Sequence, residues 1–159
     1  MGGMTTGAAL IPRCLRALFL LLLVSASLSG CAGRAEGVLV PTAGAATTPG
    51  TQVDMLVATT RSPSDDPGIL FSGERGSGLK ITDIAVSIPP DDNRKVGEVQ
   101  WPRTLPADPT REFATVRVSP VDTASARGWI LRHLPSSGHV LVFVHGFNNR
   151  YEDAVYRFA

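Results

Sequence analysis

The sequence predicts an α/β fold with a mixed, mostly parallel sheet, and three features carry that expectation. Val140-Leu141-Val142-Phe143-Val144 is an unbroken apolar run rich in β-branched residues, the pattern of a strand buried on both faces of a parallel sheet. Segments with helical spacing of apolar residues lie on either side of it. Upstream, residues 79–88 and 113–118 alternate apolar and polar positions with period two, as half-buried strands do.

The elements follow in chain order. Residues 1–30 read as an export signal: Arg13 and Arg16 with no acidic residue, then the apolar run from Ala17 to Val24, then small residues to Gly30. The apolar run is too short to span a bilayer, which needs about 20 apolar residues. Residues 31–52 are rich in Gly, Ala, Thr and Pro and read as a flexible tether. The folded domain is expected over residues 53–159. Met55-Leu56-Val57-Ala58 suits a short strand, and residues 62–78, dense in Pro, Gly and Asp, read as a loop. Ile84, Val86 and Ile88 share one face of the next strand, which Pro89-Pro90 ends because proline gives the ladder no donor. In the strand after it, Ala114, Val116 and Val118 face one way, with Thr115 and Arg117 between them.

Asp122 is a candidate N-cap for a helix to about Leu134, with Ala126, Trp129, Ile130 and Leu134 as its apolar stripe. After the apolar run, Asn149 with Glu152 three residues on fits a capping box. Tyr151, Ala154, Val155 and Phe158 then recur at helical spacing. Ala159 falls inside that helix with no breaker behind it, so the chain reads as truncated after the helix that follows the third core strand.

Composition excludes several classes. The 159 residues carry 15 Lys and Arg against 14 Asp and Glu. Removing Arg13 and Arg16 with the signal turns the formal charge from +1 to −1, so no basic surplus points to nucleic acid. Cys14 and Cys31, the only cysteines, both lie in the export segment and leave no internal disulfide to the domain. His139 and His145 lie about 20 Å apart if the chain between them is extended, too far to share a metal. His133 adds no ligand spacing. Gly73 to Lys80 approximates a phosphate loop, but Leu79 separates the last glycine from the lysine, and a surface turn is expected instead. Trp101 and Trp129 are expected to pack. No cofactor and no metal are expected.

Leu28-Ser29-Gly30-Cys31 resembles the lipobox of bacterial lipoproteins. That resemblance implies cleavage before Cys31, acylation of its thiol and new amino group, and anchoring to membrane lipid, since two or three acyl chains hold stably where one does not. Ala32 after the lipid site leans toward the outer membrane in the same resemblance.

Phe143-Val144-His145-Gly146-Phe147-Asn148-Asn149, with Glu152-Asp153-Ala154-Val155-Tyr156-Arg157, resembles a family of uncharacterised bacterial α/β-hydrolases, often lipoproteins. Ala58-Thr59-Thr60-Arg61, Phe71-Ser72-Gly73-Glu74-Arg75-Gly76 and Val86-Ser87-Ile88-Pro89 are similar to N-terminal segments of that family. The resemblance implies the start of an α/β-hydrolase fold and a serine hydrolase acting on a small carboxylic ester. In such enzymes one oxyanion-hole N–H comes from the loop after the third strand and one from the residue after the nucleophile. His145, Gly146, Phe147, Asn148 and Asn149 would form that loop, with the Phe147 N–H as donor, Gly146 allowing a sharp turn, and Asn148 and Asn149 bracing it. His145 would fix the loop through its backbone rather than act as a base. The sequence contains no Gly-x-Ser-x-Gly elbow. The nucleophile, acid and catalytic histidine are therefore expected beyond Ala159, and these 159 residues alone are expected to be inactive. The alternative is a non-catalytic lipoprotein module that keeps the start of the fold for binding.

Overall fold

The structure, a computed structural model, describes residues 35–159. The export signal expected over residues 1–30, and Cys31, lie outside the described residues. Three strands form one meander: β1 (Thr51–Pro63), β2 (Phe71–Ile88) and β3 (Ala114–Val121). Both neighbouring pairs are antiparallel, in the order β1-β2-β3. The described sheet is thus antiparallel throughout, where a mostly parallel one was expected. The register sets Val53 against Val86 and Met55 against Ile84, so the alternating apolar positions of both strands line one face. Ile84, Val86, Ile88 and Met55 are buried there. On the opposite face Arg117 donates to Asp54 at 2.7 Å and to Asp83 at 2.9 Å. Those two hydrogen bonds raise the Arg117 pKa above its ordinary value.

The β1–β2 hairpin is longer than composition suggests. Residues 71–78, read as loop, continue β2, with Arg61 opposite Arg75 and Pro63 opposite Phe71. The phosphate-loop mimic therefore lies in a strand and not in a surface turn. Two register shifts in this stretch absorb its extra glycines. The connection is only residues 64–70, where the Asp66 carboxylate accepts from the Gly68 N–H at 2.7 Å.

Residues 35–50, read as part of a tether, dock on the domain at Val38, Leu39 and Ala45, while most of the rest of the segment is exposed. Val38 and Leu39 are buried in the core cluster. The Leu39 N–H donates to the Gly68 carbonyl at 3.3 Å and the Thr42 N–H to the Thr115 carbonyl at 2.8 Å. A Cβ on Gly68 would lie 2.3 Å from the Gly37 Cα, so glycine is required for the two backbones to meet there. Composition misleads here because two adjacent apolar residues, Val38 and Leu39, suffice to dock an otherwise largely exposed segment.

A register shift between Ala85 and Val86 pairs Ala85 with Arg117 but Val86 with Thr115. One extra β3 residue, Val116, is accommodated there as a bulge. The expected alternation is inverted beyond that point: Thr115 is fully buried on the core side, and Val116 is only half-buried.

Helix α1 (Thr123–His133) starts where the sequence places it, with the Asp122 carboxylate accepting from the Ser125 N–H at 2.7 Å. That bond lowers the Asp122 pKa. Its apolar stripe is largely uncovered, however: only Ala126 is buried, while Ile130 and Leu134 are exposed. The expected buried strand over residues 140–144 does not form. Its side chains range from 48% to 84% exposed, and the described sheet offers it no neighbouring strand to pair with. The run has the composition of an interior strand without the ladder partners that make one.

Helix α2 (Tyr151–Phe158) is amphipathic as expected and packs on the sheet through Tyr151, Val155 and Tyr156. Its N-cap is Arg150, one residue later than the expected Asn149, and the Asp153 carboxylate, not Glu152, accepts from the Arg150 N–H at 2.8 Å. The Asn149 side chain is committed elsewhere, to the Gly146 carbonyl. Tyr156 stacks on Trp101 at 5.1 Å, and its hydroxyl donates to the Val38 carbonyl at 2.9 Å. The Thr115 hydroxyl donates to the same carbonyl at 2.9 Å and lies 3.1 Å from the Tyr156 oxygen.

Burial pushes the Tyr151 and Tyr156 hydroxyls up from 10 to about 12. In the unfolded chain both would ionise near pH 10 while the folded chain keeps its protons, so stability is full below pH 10 and lost as pH rises toward 12. Each rise corresponds to roughly 2–3 kcal/mol. Denaturant midpoints measured from pH 9 to pH 12 should fall steeply above pH 10, and substituting either tyrosine with Phe should shallow that fall.

Candidate functional site

The strongest candidate site is a cleft of about 940 Å³ between the β1–β2 hairpin and the segment entering α2. Thr59, Thr60 and Arg61 of β1 and Phe71 to Arg75 of β2 line one side of it, and His145 to Asn149 line the other. Residues 90 or so positions apart in the chain are thereby brought to one place.

The loop is built from short local bonds. The Asn149 side-chain amide donates to the Gly146 carbonyl at 3.0 Å. His145 Nδ1 lies 2.9 Å from the same carbonyl, which places its ring on the loop backbone. Asn148 holds φ +61°, the left-handed region, which Asn tolerates better than most residues. Gly146 does not: its φ is ordinary, and a Cβ there would make no contact closer than 3.6 Å, to the Asn149 Nδ2. The turn therefore depends on Asn148 and not on Gly146, contrary to the role expected from the sequence. The Phe147 side chain projects fully into solvent. Its backbone N–H makes no hydrogen bond among the described residues, so it is free to serve an external acceptor.

Arg61 anchors the loop to the sheet. Its Nη2 donates to the Asn149 carbonyl at 2.6 Å, across 88 residues of sequence. No role was assigned to Arg61 from the sequence, because nothing local marks a strand-end arginine as the partner of a loop so distant. The loop thus has a braced backbone, backbone N–H groups from His145 to Asn149 that no described residue accepts from, and an open cleft, which suits the recognition of a polarised oxygen. No group of three or more His, Cys, Asp or Glu among the described residues is arranged to hold a metal.

Residues 122–159 match the model of a family described as alpha/beta hydrolase of unknown function (DUF900). The match spans α1, the exposed apolar run, the loop and α2. No curated protein and no solved structure matches the chain.

Removing the Arg61 guanidinium should release the loop without unfolding the sheet. A hydrogen bond from a charged donor contributes about 1.5–3 kcal/mol, so Arg61→Ala should loosen residues 145–150, read as backbone NMR order parameters falling below about 0.6. The order parameters of β2 from Ile84 to Ile88 should stay unchanged.

Proposed function

We propose that this chain is the N-terminal part of a membrane-tethered serine hydrolase of carboxylic esters, with residues 145–149 forming one side of its oxyanion hole. The observation that carries the reading is the row of unbonded backbone N–H groups from His145 to Asn149, Phe147 among them, lining the cleft on a loop that Asn149 and Arg61 brace. Ester hydrolysis breaks the acyl C–O bond. Water supplies hydroxyl to the acyl carbon and a proton to the departing alcohol. Negative charge develops on the carbonyl oxygen in between, and one aimed N–H contributes about 2.7–4 kcal/mol to stabilising it. The serine, its acid and its histidine would come from sequence after Ala159, on a mostly parallel sheet that takes residues 140–144 as one of its strands. No cofactor is required by this chemistry.

The anchor belongs to the same proposal. Leu28-Ser29-Gly30-Cys31 would be cut before Cys31, and acyl chains on Cys31 would hold the protein in a bacterial envelope membrane, the outer one favoured by Ala32. Because Ala35 is already packed, its N–H donating to the Pro102 carbonyl at 3.1 Å, at most residues 32–34 would separate lipid from domain. Three extended residues reach about 10 Å, so the cleft would work close to the bilayer surface.

A second reading, a non-catalytic binding lipoprotein, is favoured by the lack of a Gly-x-Ser-x-Gly elbow in these 159 residues. A fluorophosphonate probe applied to the lipoprotein recovered from its native membrane separates the two. A labelled serine supports the hydrolase, and intact folded protein without label leaves the binding module. Radiolabelled palmitate should be incorporated into the wild type and lost in Cys31→Ser, with the variant leaving the membrane fraction. Acylation retained in that variant would overturn the anchor.

A further inference from the structure

We infer that Arg61 and Arg75 form an oxyanion subsite in the cleft, so that the ester taken there also carries a carboxylate or phosphate group. The word ester rests on the hydrolase reading above; the anion subsite stands on the arginines alone.

The two arginines are direct cross-strand partners. Like charges set opposite each other on a ribbon repel and destabilise it, and nothing among the described residues offsets this pair. No carboxylate among the described residues lies within ion-pair distance of either guanidinium. Arg61 reaches only the neutral Asn149 carbonyl, which uses one of its five N–H donors. Arg75 is exposed and its side chain has no partner among the described residues.

The backbone prevents the pair from separating. A Cβ on Gly76 would lie 2.9 Å from the Arg61 carbonyl oxygen, so the ribbon is drawn tight beside the pair. Other charges at the cleft do not cancel it. Glu36 and Glu152 flank Arg150, at 3.9 Å and 3.8 Å. Glu74 also lines the cleft, but it makes no ion pair with Arg61 or Arg75 among the described residues. Two forked donors on one open cleft suit a bidentate oxyanion. Because Arg61 also holds the Asn149 carbonyl, the anion would be fixed at a set distance from the Phe147 N–H, and Arg75 is the residue that selects for it.

The test is a titration of the full chain followed by the side-chain N–H signals of Arg61 and Arg75. The ligands are monomethyl succinate, methyl phosphate and the neutral dimethyl succinate. At least one anion should bind tenfold or more tightly than dimethyl succinate, and whichever of the two does so names the group. Arg75→Gln should abolish the preference while leaving dimethyl succinate binding unchanged and the melting temperature at or above that of the wild type. Equal binding of all three ligands to the wild type, or an undiminished preference in Arg75→Gln, would overturn the proposal. If the preference holds but fluorophosphonate labels no serine in the membrane-derived protein, the hydrolase reading fails and the anion subsite survives.

Discussion

The Val38 carbonyl is the point on which this structure turns. It accepts from Tyr156 on α2 and from Thr115 on β3, each at 2.9 Å, inside a core where neither hydroxyl has water to fall back on. Three segments far apart in sequence meet at that oxygen: the N-terminal stretch, the last strand and the last helix. A buried carbonyl with both lone pairs satisfied contributes modestly as a net gain, but losing its partners costs the full desolvation of the group. The junction therefore specifies position more than it adds stability. It fixes α2 on the sheet, and α2 carries the loop at its N-terminus to Arg61.

That junction also explains the β3 bulge. A regular β3 would turn Thr115 to the solvent side and Val116 inward. The extra residue inverts this, exchanging an apolar core contact for a hydroxyl that meets Tyr156. Arg61 then closes the arrangement from the other side by holding the Asn149 carbonyl. The cleft lies between two ties, one buried and one at its rim, and its loop has little freedom to drift from the geometry that leaves the Phe147 N–H open.

What the sequence makes legible follows from range. The Asp122 cap, the apolar stripe of α2 and the alternation of Ile84, Val86 and Ile88 are local patterns, and each appears where its spacing places it. The packing of Val38 and Leu39, the Thr115 bulge and the Arg61 tie depend on partners about 30 to 120 positions away, and no local pattern encodes them. Residues 140–144 are the opposite case. Their composition states an interior strand clearly, but the described sheet presents no ladder for them, so the local signal has no structural outlet. The loop residues His145 to Asn149 were recognisable as a group from the motif, whereas the division of labour among them was not: Asn148 makes the turn, Asn149 braces it, and Gly146 supplies the carbonyl both His145 and Asn149 approach.

A double-mutant cycle with Tyr156→Phe and Thr115→Val, read by denaturant unfolding and by the backbone NMR order parameters of residues 145–150, tests the central claim most directly. If the Val38 carbonyl is the shared acceptor, each single variant should lower stability by about 1 kcal/mol, the double should deviate from their sum by at least 0.5 kcal/mol or so, and the order parameters of the loop should fall in all three. Additive losses with an unchanged loop would show that the two hydroxyls act separately and that the cleft does not depend on them.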